Sequence, residues 1–348
     1  LVAFLGLGYL FKENKSSGDY FLGGRSMGWL PLSLTTMATQ LSAISFISAP
    51  AFVGLKPGGG LQWLTYEFGV PLAMAFLMVA LIPTLYKSGI VSVYEYLEKR
   101  FDASSRLLIS FVFQISRSVA TGVMVYTMAL ILQATVGIDF WVSVLIIGVI
   151  TLVYSFQGGM KAVIWGDVIQ MIILFLGIVI CLAYGISELG GFDTFLTNVD
   201  KDRLTAVDFS KWGFNNTDKN DEFGFWPMII GGFFLYASYY GTDQTQSQRL
   251  LSAKGMPTIK KLLLANGLFR FPLTLTYCIM GLVLGTLLLQ DSSFQETMDS
   301  VYQANIDSLE GKKADLMVPV FIIKYLPNGV IGVLIVAIMS AAMSTLSS

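Results

Sequence analysis

The sequence predicts an all-α polytopic membrane protein, and three observations carry that prediction. Of the 348 residues, 54% are hydrophobic and 13% charged, with a mean hydropathy of +0.67, whereas soluble domains carry roughly 25% charge. Eight apolar runs are each long enough to cross about 30 Å of hydrocarbon. Basic residues crowd into alternate short loops, the asymmetry that sets membrane orientation.

In chain order, residues 1–11, "LVAFLGLGYLF", read as the end of an apolar helix cut at its start. Spans follow near residues 28–54, 60–86, 105–135, 139–156, 162–189, 225–248, 262–289 and 328–348. The first carries Ser33, Thr35, Thr36, Thr39, Gln40, Ser42, Ser45 and Ser48 before Pro50. Such a segment is suited to breaking midway, leaving carbonyls for a cation and helix ends for an anion. Two long polar connections, 190–224 and 291–326, separate later spans. The second contains "LMVPVFIIKYL", too short to cross and read as a re-entrant or surface helix. The last span ends in "AAMSTLSS", which lines one helix stripe with the hydroxyls of Ser344, Thr345 and Ser348. Short hydroxyls also permit close helix packing and bond back to the preceding turn, so the octet alone leaves packing and ligation open.

Lys12, Lys15, Arg25, Lys87, Lys99, Arg100, Arg106, Lys161, Arg249, Lys254, Lys260 and Lys261 fall on one side, against Lys56 alone in the opposite short loops. This places the loop at 12–27 in the cytoplasm, and the N-terminal end and both long connections outside a plasma membrane. The sequon Asn215-Asn216-Thr217 is then external. The absence of histidine excludes His-based proton relays and Ser-His or Cys-His catalysis. No nucleophile-base pair or metal-ligand cluster suggests an enzyme. Cys181 and Cys278 lie in apolar runs and read as small core residues. The net charge of -1 gives no basis for a nucleic-acid partner. The expected partners are the lipid bilayer and a small-molecule substrate, with the chain monomeric.

Five ionisable residues fall at membrane depth: Glu67, Arg117, Asp167, Asp243 and Arg270. Such groups face a cavity or a partner. Arg117, about half way along its span, is either a carboxylate site or one member of an ion pair with Glu67 or an Asp. Asp167 and Asp243 lie nearer span ends, where hydration is an alternative; Arg270 reads as a buried pair.

At these residues the sequence resembles the sodium/solute symporter family. The matching segments are "FLGGRSMGW" (21–29), "ATQLSAISFIS" (38–48), "YEYLEKRF" (94–101), "GGMKAVIWGDVIQ" (158–170), "YYGTDQTQSQRLLSAK" (239–254) and "MSTLSS" (343–348), in the family's order. The resemblance implies a LeuT-like fold of inverted five-helix repeats. Residues 28–189 would be the first repeat and 190–224 an extracellular connection. Residues 225–348 would be a partial second repeat, the last two core helices being absent from this fragment.

It also implies that Na+ is the coupling ion. A main site would use the carbonyls of Ala38, Leu41 and Ala341 and the hydroxyls of Ser344 and Thr345. A second ion, as in sialic acid carriers, would use Asp167, Ser344, Ser347 and Ser348. Ser42, Ser45, Glu67, Arg117 and Tyr236 would surround the substrate, with Tyr239 or Tyr240 as inner gate. Ile44-Ser45 stands where sugar carriers of the family have a Glu-Gln pair, and Tyr236 where they have an asparagine; no lysine appears near Phe269. The Arg117 position matches the carboxylate-binding arginine of sialic acid carriers. The implied function is sodium-coupled import of a carboxylate-bearing solute, the alternatives being a sugar symporter or a transporter-like sensor module.

Overall fold

The apolar runs fold as helices packed side by side, and among the described residues the only β feature is an isolated bridge between Met27 and Ala253. The computed structural model describes residues 2–12, 16–41, 43–213 and 223–348, so Ser42 and the sequon at 215–217 lie outside the described residues. Helices α1 (Val2–Leu10) and α2 (Ser17–Leu22) precede a broken pair, α3 (Trp29–Gln40) and α4 (Ala43–Gly54), bent by 59°. The break expected from the polar residues is present: Leu41 leaves the helical path with φ −81° and ψ 71°. Its approach is weakened by Ser33, Thr36 and Thr39, whose hydroxyls donate to the carbonyls of Trp29, Leu32 and Thr35 at 2.7, 2.5 and 2.8 Å. Such back-bonding competes with the helix's own ladder.

Helix α5 (Leu61–Lys87) opens with a 3-10 turn over Leu61–Phe68 and carries a π turn at Leu77–Leu81. The short α6 (Val93–Arg100) leads into α7 (Ala103–Val136) and α8 (Phe140–Glu188). At 49 residues α8 would extend roughly 74 Å, more than twice the hydrocarbon thickness. It is two spans joined at Gly159 (φ 57°, ψ −152°), in agreement with the predicted runs 139–156 and 162–189. A β-carbon there would come 2.8 Å from the Tyr20 carbonyl oxygen, so glycine is required on both counts.

After α9 (Phe192–Asn198), the predicted span 225–248 is a second broken pair, α10 (Phe225–Gly241) and α11 (Gln244–Leu251). Asp243 caps α11 by accepting the Thr245 N–H at 2.9 Å. The chain ends with α12 (Met256–Gln290), α13 (Ser292–Ala304), α14 (Met317–Tyr325) and α15 (Asn328–Ser347). The expected surface character of the "LMVPVFIIKYL" run is corrected: Met317, Val318, Val320 and Phe321 of α14 are at most 2% exposed, because the helix packs on α4 and α13. Among the described residues five helices are long and apolar enough to cross a membrane, or six if α3 and α4 count as one. Cys181 and Cys278 are buried free thiols, as read from the sequence.

The broken pair is held from outside and from behind. Arg203, from the first long connection, donates to the carbonyls of Val53, Lys56 and Gly59 at 3.0, 3.2 and 3.3 Å, satisfying the open end of α4. Behind α4, Gly281 and Gly285 of α12 admit its backbone: a β-carbon on Gly281 would lie 2.5 Å from the Pro50 carbonyl oxygen, and one on Gly285 the same distance from that of Gly54. Two glycines four apart in a membrane helix form such contacts. Gly281→Ala is expected to force α4 and α12 apart and cost about 1–3 kcal/mol, read as a lowered melting temperature of the detergent-purified protein; an unchanged melt would show that the contact yields freely.

Candidate functional site

Helix α15 packs against α8 and both halves of the first broken helix, and this junction gathers most of the predicted ion-site residues. Ala38 and Leu41 stand in the last turn of α3, where carbonyls run out of intrahelical donors. Across from them, α15 presents Ala341 and Ser344, both buried, and Thr345, whose hydroxyl donates to the Ala341 carbonyl at 3.5 Å.

Beneath this pair lies Asp167, 0% exposed. One carboxylate oxygen accepts the Ser344 hydroxyl at 2.6 Å; the other accepts the Thr35 hydroxyl at 2.5 Å and the Arg249 Nη2–H at 2.7 Å. Arg249, 1% exposed, also donates to the Ser348 hydroxyl at 2.6 Å, to Thr35 Oγ1 at 2.9 Å and to the Thr245 carbonyl at 2.5 Å. The Ser347 and Ser348 hydroxyls both donate to the Ser344 carbonyl, at 3.0 and 2.7 Å. One alternative left open by the sequence is closed here, and one reading is corrected. Asp167 is not a hydrated group near a span end, and Arg249, counted with the loop charges, is an interior residue. A single guanidinium joins α3, α8, α11 and α15, which the linear sequence could not reveal because the first six residues of α11 are polar, yet Gln246, Ser247 and Arg249 among them are buried.

The second region surrounds Arg117. It forms an ion pair with Asp243 at the α10–α11 break, the second of the two alternatives its depth suggested. Its guanidinium carbon also lies 5.9 Å from the Tyr239 ring centroid, within cation–π range. A cavity of about 750 Å³ opens here, and Arg117, Tyr239, Thr39, Gln40, Thr345 and Ser348 are among the residues on its wall. Ser45 lies just past the break of the same helix, its hydroxyl donating to the Gln40 carbonyl at 3.3 Å. Of the two gate candidates Tyr239 lines this cavity, whereas Tyr240 is fully buried and donates to Asn266 Oδ1 at 3.0 Å. Of the pair, Tyr239 is therefore the one placed beside Arg117.

Glu67 and Tyr236, expected beside the substrate, are committed elsewhere. Glu67, 1% exposed, takes Arg270 Nε–H at 3.3 Å, the Tyr236 hydroxyl at 3.1 Å and the Thr274 hydroxyl at 3.1 Å. Close approach of α5 and α10 presses them together: a β-carbon on Gly232 would sit 2.2 Å from the Tyr66 carbonyl oxygen, and the Tyr66 and Tyr236 rings stack with an interplanar angle of 3°. Neither residue is among those on the wall of the Arg117 cavity, and the same is true of Ser45. The predicted buried pairing of Arg270 is present, with Glu67 as its partner.

The sodium:solute symporter family model matches residues 20–348. The human sodium/iodide cotransporter is 32% identical over 271 residues, covering 78% of this chain and 41% of its own length. Human sodium-coupled monocarboxylate transporter 1 is 33% identical over 80% of this chain and 45% of its own, and the mouse protein of that name 30% identical over 99% and 54%. The chain thus spans about half the length, or less, of these curated relatives. Among solved structures, the substrate-bound outward-open state of a Na+-coupled sialic acid symporter, described as revealing a novel Na+ site, superposes with a TM-score of 0.87 at 26% identity, covering 99% of this chain and 69% of that one. The fold is therefore the all-helical LeuT type, with several helices long and apolar enough for a multi-pass membrane protein.

Proposed function

The chain belongs to the sodium:solute symporter family, and on that premise we propose that it serves sodium-driven import of a small carboxylate-bearing solute across the plasma membrane, with the basic short loops in the cytoplasm. The observation that carries this reading is that Thr345, from the proposed sodium site, and Arg117, the proposed carboxylate anchor, line one cavity. An ion ordering the α3 break and α15 thereby shapes the wall against which the solute rests.

In this reading Ala38, Leu41, Ala341, Ser344 and Thr345 offer five neutral oxygens to the main sodium ion, a donor set suited to a hard monovalent cation. Asp167 with Ser344, Ser347 and Ser348 supplies a second position. Arg117 uses one N–H group on Asp243 and keeps others for a solute carboxylate. Tyr239 covers the solute from the α10 side. The two broken pairs, α3/α4 and α10/α11, support assigning residues 28–189 and 225–348 to two inverted repeats that rock about the site. Each ion entering an inside-negative compartment contributes about 2.3 kcal/mol per 100 mV to uphill movement of the solute.

The iodide-carrying relative favours one second reading, an inorganic anion held at Arg117. Uptake by the full-length protein in proteoliposomes, with carboxylates, sugars and iodide presented with and without a sodium gradient, separates the two. Carboxylate uptake that needs sodium is expected, and Arg117→Ala should lower its efficiency roughly 10- to 100-fold, the worth of a charge-assisted hydrogen bond. Undiminished carboxylate uptake by that variant would remove Arg117 from the substrate site.

A further inference from the structure

The run Trp165-x-Asp167-x-x-Gln170 leaves one polar residue without a task. Gln170 lies three residues beyond Asp167 on α8, is 0% exposed, and has neither amide atom hydrogen-bonded. The Tyr154 hydroxyl and Ser155 Oγ are also buried and have no partner at ordinary hydrogen-bond geometry, their polar contacts being with one another, Gln170 and Ser347. These groups are neighbours: the Tyr154 hydroxyl lies among the side chains of Ser155, Gln170 and Ser347, with Asp167 close by. The contact depends on Gly166, where a β-carbon would lie 3.5 Å from Tyr154 Cε2 and 3.8 Å from its hydroxyl oxygen. The Tyr154 ring therefore rests on the turn that carries Asp167. On the far side, Ser155 and Ser347 border a cavity of about 700 Å³ that also touches Gly159, Arg249 and Ser348, at the end of the bundle bearing the basic loops.

Buried polar groups without well-formed partners each cost about 1–3 kcal/mol, and a cluster of them in a native protein calls for an explanation, a water or an ion being the usual ones. Here the acceptors without a well-formed hydrogen bond are the Gln170 amide oxygen, the Tyr154 and Ser155 hydroxyl oxygens, and the remaining lone pairs of Ser347 Oγ, whose proton goes to the Ser344 carbonyl. All are neutral. A monovalent cation is solvated by such a set but held less tightly than by the Asp167 carboxylate, and sites on an exit path must be weak enough to leave.

We propose that Gln170, Tyr154, Ser155 and Ser347 form a transit site at which sodium pauses between Asp167 and the 700 Å³ cavity on its way to the cytoplasm. The proposal rests on the sodium-symport reading above and adds a release step to it. Sodium leaving Asp167 exchanges carboxylate ligation for these four oxygens, Arg249 keeps its hold on Asp167, and the ion then rehydrates in the cavity.

The test uses the full-length protein in proteoliposomes, with sodium varied separately outside and inside. Gln170→Leu removes the strongest neutral ligand; it should lower the maximal uptake rate about tenfold and raise the internal sodium needed for half-inhibition, the external half-saturating sodium staying within about twofold. Gln170→Glu places an anion at the station; it should also slow uptake but lower the half-inhibitory internal sodium about tenfold. Tyr154→Phe, which removes one oxygen and keeps the ring, should follow the leucine variant with a smaller effect and carries the test if Gln170→Leu does not fold. Opposite shifts of internal inhibition support the site, since a purely structural role would move both variants alike. Equal shifts, no shift, or a matching loss of external sodium affinity would overturn it, leaving these oxygens to water or to the binding step. Absence of any sodium-dependent uptake by the unaltered protein would instead overturn the symport reading itself.

Discussion

Glu67→Leu is expected to destabilise the protein by about 3–5 kcal/mol, the cost of leaving one member of a buried ion pair without its partner. Arg270 is the charge that would be stranded: it is 5% exposed, its Nε–H points at both Glu67 oxygens at 3.3 and 3.4 Å, and its Nη1 has no bond even in the intact cluster. Tyr236 and Thr274 would lose their acceptor at the same stroke. The double variant Glu67→Leu/Arg270→Leu removes both charges and should recover most of the loss, because the Coulombic gain of a buried pair barely exceeds its desolvation. Thermal unfolding of the three proteins in one detergent checks this. A single variant as stable as the parent, or a double variant no better than the single, would mean that the cluster is hydrated or that its packing matters more than its charge. Uptake by the double variant separates this reading from the sequence-based one. If Glu67 were a substrate ligand, the stabilised double variant would still fail to transport.

The contrast between Glu67 and Arg117 shows which parts of the site were legible in the sequence. The break in the first span announced itself locally, through hydroxyls at intervals that let Ser33, Thr36 and Thr39 bond back along their own helix. The doubling of α8 was equally local, since two apolar runs flank a Gly-Gly-x-Lys loop. Depth along a span was legible too, and it identified Arg117 and Arg270 as groups needing partners. The partners themselves were not. Glu67 meets Tyr236 because Gly69 and Gly232 let α5 and α10 approach to backbone contact, Arg270 arrives from α12, which comes close to α5 at Gly267, and no interval along any of these helices encodes that. Likewise the α10–α11 break has only Ser238 and Thr242 bonding back along the helix before it, fewer hydroxyls than α3 carries; it is fixed by Asp243, which caps α11 and pairs with Arg117 on another helix. Short amphipathic charge is the hardest case. Arg249 falls just past the predicted span 225–248 and so reads as a loop charge, and only the gathering of Thr35, Asp167 and Ser348 around it supplies the polar surroundings that make its burial tolerable.

Asp167→Asn is expected to weaken both the fold and the ion site, and a second substitution separates the two effects. In the parent, the Arg249 guanidinium neutralises Asp167, so the pair carries no net charge into the interior. Asparagine keeps the shape and one acceptor oxygen but leaves Arg249 unpaired, at a cost of about 3–5 kcal/mol. In Asp167→Asn/Arg249→Gln that stranded charge is gone, and an amide can replace the guanidinium's bond, so stability should return to within about 1–2 kcal/mol of the parent. The sodium site should not return with it. An amide oxygen attracts a cation far less than a carboxylate, and loss of one charged ligand worth about 1.5–3 kcal/mol raises the half-saturating sodium roughly 10- to 100-fold. If two ions are coupled, the sodium dependence of uptake should also lose its sigmoid shape, because the main site at Ala38, Leu41, Ala341, Ser344 and Thr345 retains its neutral oxygens. Uptake by the double variant in proteoliposomes, set beside its melting temperature, reads both quantities. A stable double variant with the parent's sodium dependence would show that Asp167 serves as a strut tying Thr35, Arg249 and Ser344 together, and that the ion is held elsewhere.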